Sequence, residues 1–97
     1  MSRYQFSSPA KQDLKEIAAY IRRGNPKAAK KLIERLREVC RTTLVMFPEG
    51  GSQREELALG LRCFSEGNYV IYFRGRSPVE IIRVLHGARD VKPSMFP

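Results

Sequence analysis

Ninety-seven residues, 42% of them hydrophobic, suit one folded domain (1–97) and argue against disorder. No apolar run approaches the roughly 20 residues that a membrane-spanning helix needs, and Met1-Ser2-Arg3-Tyr4 lacks the apolar stretch of a secretion signal, so a cytoplasmic protein is expected. Eighteen Lys and Arg against ten Asp and Glu give a net charge of +8, which suits nucleic acid, a ribosome or an acidic protein without choosing among them.

The chain opens on Arg3-Tyr4-Gln5-Phe6, an alternation that reads as a short strand. Ser8-Pro9 then predicts a helix start, with Ser8 as cap and Pro9 first in the helix. Ala10, Leu14, Ile17, Ala18 and Ile21 form one apolar stripe over about 9–23, and Gly24 is expected to end the helix in a left-handed cap. Asn25-Pro26 repeats the start, and a second stripe from Ala29 through Leu32, Ile33, Leu36, Val39, Cys40 and Leu44 runs to about residue 46. So short a link predicts an antiparallel helical hairpin.

Pro48 and the Glu49-Gly50-Gly51-Ser52 turn end that hairpin, and the period changes to two. Leu61–Ser65, Tyr69–Arg74 and Val79–His86 read as three strands, joined by Glu66-Gly67-Asn68 and Gly75-Arg76-Ser77-Pro78. The expected fold class is α+β in the order β-α-α-β-β-β, a helical hairpin packed on a small antiparallel sheet. Val79–His86 is apolar on both faces. Helices can cover only one of them, so the C-terminal tail, a partner or both should cover the other.

Signatures of chemistry are sparse. Phosphate-loop, zinc-protease and serine-hydrolase motifs are missing, and no metal or cofactor is expected. Cys40 and Cys63 lack metal or redox spacing and read as small hydrophobes. Glu55-Glu56 reads as a solvated acidic loop. His86, the single histidine, stands beside Gly87-Ala88-Arg89-Asp90. With Arg62, Arg74, Arg83 and Arg89 it would suit a metal-free ribonuclease, whereas the plainer reading gives His86 and Asp90 hydrogen bonds that shape the strand's exit. Lys27, Lys30, Lys31, Arg35, Arg37 and Arg41 give the hairpin a basic outer face, interrupted by Glu34 and Glu38.

Taken together the chain resembles the ParE family of the RelE/ParE toxin superfamily. The resemblance rests on Ser8-Pro9-Ala10 with Asp13-Leu14, Ile17 and Tyr20-Ile21, on Asn25-Pro26 with Ala28-Ala29, and on Phe47-Pro48 with Gly50. It continues through Gly60-Leu61-Arg62 and Asn68–Arg74 to Val84–Asp90, in order from Tyr4 to Asp90. It implies the toxin of a type II toxin–antitoxin system, of the plasmid-stabilising and growth-arresting kind. Such a toxin is neutralised by a ParD-like antitoxin and poisons DNA gyrase without catalysis of its own, so that DNA is met only through antitoxin or gyrase. The alternative is a RelE-like ribosome-dependent mRNA endonuclease. Against it, no tyrosine follows the last strand.

An acidic amphipathic antitoxin segment would cover apolar surface and pair with arginines. Its expected contacts are Ile17, Ile21, Leu32, Leu36, Arg62, Tyr72 and Arg74. The expected target surface lies at the C-terminal end, on Arg83, His86, Arg89, Asp90 and Phe96. There Pro93 and Pro97 make the Lys92–Pro97 tail irregular and Met95-Phe96 is apolar. The competing reading has Met95-Phe96 capping the protein's own core.

Overall fold

The computed structural model describes residues 3–96; Met1, Ser2 and Pro97 lie outside the described residues, and with them the expectations about the chain's start and its last proline. Strand β1 is Tyr4–Phe6, followed by helices α1, Ser8–Arg22, and α2, Pro26–Val39. The α1 cap is Ser7, one residue before the expected Ser8. Its hydroxyl accepts the Ala10 N–H at 3.1 Å and donates to the Ile82 carbonyl at 2.7 Å, so one side chain both starts the helix and fastens it to the sheet. Asn25 caps α2 as expected, accepting from Ala28 at 3.0 Å. Gly24 does not form the expected left-handed cap: it is not among the glycines of positive φ. Instead Gly24 and Asn25 both donate to the Ile21 carbonyl, and the chain passes directly into the extended Asn25 that caps α2. After Val39 the helix widens into a π turn, Cys40–Leu44, and helical structure continues to residue 46. The added residue turns both Cys40 and Leu44 into the core, where burial pushes the Cys40 thiol up to about 12.

The sheet has five strands in the order β1-β5-β4-β3-β2. Here β2 is Ser52–Gln53, β3 Arg62–Glu66, β4 Tyr69–Arg74 and β5 Val79–His86. Strands β4 and β5 fall at their predicted bounds. Strand β3 starts and ends one residue later than expected, because Glu66 pairs with Tyr69 and leaves a two-residue turn. The wholly antiparallel sheet is corrected: β1 pairs in parallel with β5, Tyr4 opposite Val79 and Phe6 opposite Ile81. The helical hairpin and the meander separate these strands in sequence, which gives the long connection that a parallel pair requires. Strand β2 has only two residues, too few for periodicity to mark it. It is led in by Gly51, whose φ is +73° and where an added Cβ would stand 2.1 Å from the Cys63 carbonyl oxygen.

The doubly apolar β5 is explained by a bulge. Tyr72 pairs with Arg83 but Phe73 pairs with Ile81, so Ile82 is an extra residue and the alternation shifts phase there. Val79, Ile81 and Val84 pack with Leu14, Leu36, Val39 and Leu44 of the helical layer. Ile82 and Leu85 pack on the opposite side with Tyr72, beneath Leu57, Leu61 and Phe96. The chain covers both faces itself.

One charged pair joins these layers. Asp13 is the only charged residue among those buried in the described part of the chain. Its carboxylate accepts Arg83 Nε at 2.7 Å and Nη2 at 2.8 Å, and also the Val84 N–H at 3.0 Å. Arg83 Nη1 donates to the Met95 carbonyl at 3.2 Å. Strand β1 ends at Phe6, so β5 beyond Ile81 would present a bare edge on that side. Ser7 satisfies the Ile81 and Ile82 carbonyls there, and Asp13 takes the Val84 N–H.

Two stability measurements follow. Asp13→Ala leaves the half-buried Arg83 guanidinium with only the Met95 carbonyl and the Val84 N–H with no partner, and should cost about 3 kcal/mol in urea unfolding; a cost under about 1 kcal/mol would show the pair to be incidental. Gly51→Ala should cost at least about 1–3 kcal/mol, whereas Gly24→Ala, with open space around its Cβ, should be neutral or stabilising by about 0.4–1 kcal/mol.

Candidate functional site

The apolar stripes of the helices extend past the part of the sheet that can bury them. Between the second half of α1, the start of α2 and the β3–β4 turn they leave a groove of about 760 Å³. Ile17, Tyr20 and Ile21 come from α1, Ala28 and Leu32 from α2, and Asn68 and Tyr69 from the turn and the start of β4. His86 and Arg89 reach it from the end of β5, and Glu16 completes the wall. Ile17 and Leu32 are only half-buried against the core, and Tyr20 is 72% exposed, a large aromatic surface facing solvent.

The rim is held by backbone and ring contacts. The rings of Tyr69 and His86 meet edge to face with centroids 5.3 Å apart. His86 Nδ1 accepts the Ala88 N–H at 3.0 Å, Gly87 donates to the Asn68 carbonyl at 2.8 Å, and Arg89 donates to the His86 carbonyl at 3.0 Å. The exit of β5 is thus shaped by His86 and the backbone, without Asp90, which is exposed. Partial burial raises the Tyr69 hydroxyl above its ordinary value, and nearby Tyr20 adds to the shift. Glu16 accepts from Gln12 Nε2 at 3.0 Å. Among the described residues, the groove therefore offers an apolar floor, one imidazole nitrogen and one guanidinium without a partner. Among the described residues no group of three His, Cys, Asp or Glu side chains could hold a metal.

Of the residues singled out from the sequence, Ile17, Ile21, Leu32, His86 and Arg89 are brought together here. The others lie elsewhere, for physical reasons. Leu36 points down from the inner side of α2 and is buried in the first core. Tyr72 and Phe96 are buried together in the second core with rings 5.1 Å apart, so Met95-Phe96 caps the protein's own sheet. Arg83 is spent on Asp13 and the Met95 carbonyl, and its bonds to Asp13 raise its pKa further. Arg62 donates to the Gly50 and Glu49 carbonyls and pins the loop after α2, while Arg74 reaches the Leu59 carbonyl at 3.5 Å. Glu56 pairs with Arg54, and Glu55 accepts the Gly60 N–H, so the acidic loop is tethered.

Sequence reasoning missed Asp13 as an anchor and Tyr20, Asn68 and Tyr69 as groove residues. Asp13 had a signal, a carboxylate on the inward stripe between Ala10 and Leu14. Because Phe96 closes a core, Phe96→Ala should cost about 3 kcal/mol in urea unfolding, and removal of residues 93–97 at least as much. A truncated chain of unchanged stability would contradict the core assignment.

Comparison with known proteins accords with this architecture. Residues 4–91 match the family model described as ParE toxin of type II toxin-antitoxin system, parDE. Toxin ParE1 of Caulobacter vibrioides is 34% identical over 96 residues, covering 95% of this chain and 96% of that protein. A solved structure described as a chromosomal ParDE TA system from P. aeruginosa contains a chain that superposes with a TM-score of 0.73. That match covers 89% of this chain and 96% of the other at 19% identity, a likeness of fold. The chain belongs to the ParE family and is the toxin component of a type II toxin–antitoxin system.

Proposed function

We propose that this toxin arrests growth by binding and poisoning DNA gyrase in the cytoplasm, without a catalytic step of its own. On this reading a ParD-like antitoxin neutralises it by laying an amphipathic segment in the groove. The observation that carries the reading is the groove's composition. Ile17, Ile21 and Leu32 supply apolar contact at helical spacing, and Arg89 and His86 supply hydrogen-bond donors at the rim. A partner helix with apolar residues on one face and carboxylates at its border is complementary to such a surface. Ordering that segment costs about 2–5 kcal/mol, which burial of Tyr20 and its apolar neighbours offsets. His86 and Arg89 also stand where the target contacts were expected, so an antitoxin in the groove would occlude the toxic surface directly. Arg83 and Phe96 support that surface from beneath by holding the tail, and Asp90 lies on the exposed exit turn beside it.

Purified toxin added to gyrase, ATP and supercoiled plasmid should trap cleaved DNA, seen as linear plasmid after detergent and protease treatment, and the antitoxin should abolish the trapping. Arg89→Ala removes a charged contact worth at least about 1.5 kcal/mol and should lower trapping about tenfold, while His86→Ala, which loses a neutral contact worth about 0.5–1.5 kcal/mol, should lower it less and not abolish it. Unchanged plasmid together with cleavage of ribosome-bound message that His86→Ala abolishes would replace this reading with the RelE-like endonuclease.

A further inference from the structure

The other side of the helical hairpin has a different character. Ala18 and Arg22 of α1 and Ala29, Lys30, Ile33 and Arg37 of α2 line a shallow groove of about 410 Å³. A second depression shares Arg22 and adds Lys15. Lys15 and Arg22 are seven residues apart, as are Lys30 and Arg37, so each pair spans two turns, or about 10 Å. Packed helices stand about 8–10 Å apart. All four cations are exposed; Arg22, Lys30 and Arg37 line one depression with Ala18, Ala29 and Ile33, and Lys15 shares the neighbouring one with Arg22. Elsewhere Arg35, Arg41, Arg54, Arg76 and Arg83 are neutralised by Glu66, Glu38, Glu56, Glu49 and Asp13. None of Lys15, Arg22, Lys30 and Arg37 has a carboxylate partner among the described residues, although Glu34 lines the groove and Glu16 lies at its border. Arg37 is held in place over the Phe6 ring at 5.5 Å.

We propose that this outer face of the hairpin binds the phosphate backbone of double-stranded DNA directly, a departure from the expectation that DNA is met only through antitoxin or gyrase. Three features select this ligand. An acidic protein would need several large apolar anchors, and this face offers one, Ile33, among alanines and Pro26. A single strand would need aromatic stacking platforms, and among the described residues no aromatic lines either depression. Cations on two adjacent helices can meet the two phosphate rows flanking the narrow minor groove of B-form DNA, about 6 Å wide. The contact carries no sequence information and is governed by counterion release. It uses different faces of both helices from the apolar groove and does not rest on the antitoxin reading.

The test is binding of a labelled duplex of mixed sequence to the full chain between 50 and 200 mM salt. Lys15→Gln/Arg22→Gln/Lys30→Gln/Arg37→Gln should weaken binding at least about tenfold at 50 mM salt and flatten the log–log salt slope by about 3–4. Arg3→Gln/Arg41→Gln/Arg76→Gln/Lys92→Gln removes the same charge elsewhere and should leave affinity within about threefold. If the first variant fails to fold, Lys15→Gln/Lys30→Gln alone should flatten the slope by about 2. Equal losses in the two charge-matched variants would overturn the proposal, as would undetectable binding at 50 mM salt. Tighter binding of single-stranded DNA, duplex RNA or polyglutamate than of duplex DNA would overturn it as well.

Discussion

A single carboxylate on the first helix organises this small domain. Asp13 accepts two bonds from Arg83 and one from the Val84 N–H, and Arg83 passes the connection on to the Met95 carbonyl. Helix, sheet edge and tail are thereby fixed to one another at one place. A domain of about this size buries only some 60–65% of its unfolded surface and has little stability to spare. A bidentate pair whose side chains are 17% and 7% exposed is well suited to such a domain. It is a strong interaction when complete and a heavy penalty when broken, and its geometry admits one arrangement of helix against strand.

That arrangement decides which surfaces are open. With the tail held down, Phe96 closes the far face of the sheet over Tyr72, Ile82 and Leu85. Apolar surface left open beside the hairpin includes the groove of Ile17, Tyr20, Ile21 and Leu32, while Met46, Phe47 and Leu59 are exposed outside it. The bulge at Ile82 contributes from the other direction. By shifting the phase of β5 it lets Ile81 and Val84 face the helices while Ile82 and Leu85 face the tail. The hairpin thus presents two unlike surfaces, an apolar groove suited to a protein segment and a basic outer face suited to phosphates.

Much of this was legible in the sequence because it obeys local rules. The helical stripes, the Asn25 cap, and strands β4 and β5 follow from periodicity and from the positions of proline and glycine. What was not legible depends on contacts across the chain. Ser7 wins the cap over Ser8 because its hydroxyl also reaches the Ile82 carbonyl. The parallel pairing of β1 with β5 joins residues 75 positions apart, beyond any local pattern. Arg62, Arg74 and Arg83 read as partner-binding groups because an arginine's charge is visible in sequence while the carbonyl or carboxylate that engages it is not. Ile17, Ile21 and Leu32 were legible as apolar, and only the edge of the sheet shows that they are left partly uncovered.

On the reading proposed for the groove, a protein partner docks beside the hairpin while the tail stays closed on the sheet. Hydrogen exchange of the toxin with and without its antitoxin tests this directly. Docking in the groove should bring new protection at residues 16–21, 28–32, 67–69 and 86–89, with residues 57–61 and 92–96 unchanged. Protection confined to 57–61 and 92–96, or release of the tail on binding, would contradict it.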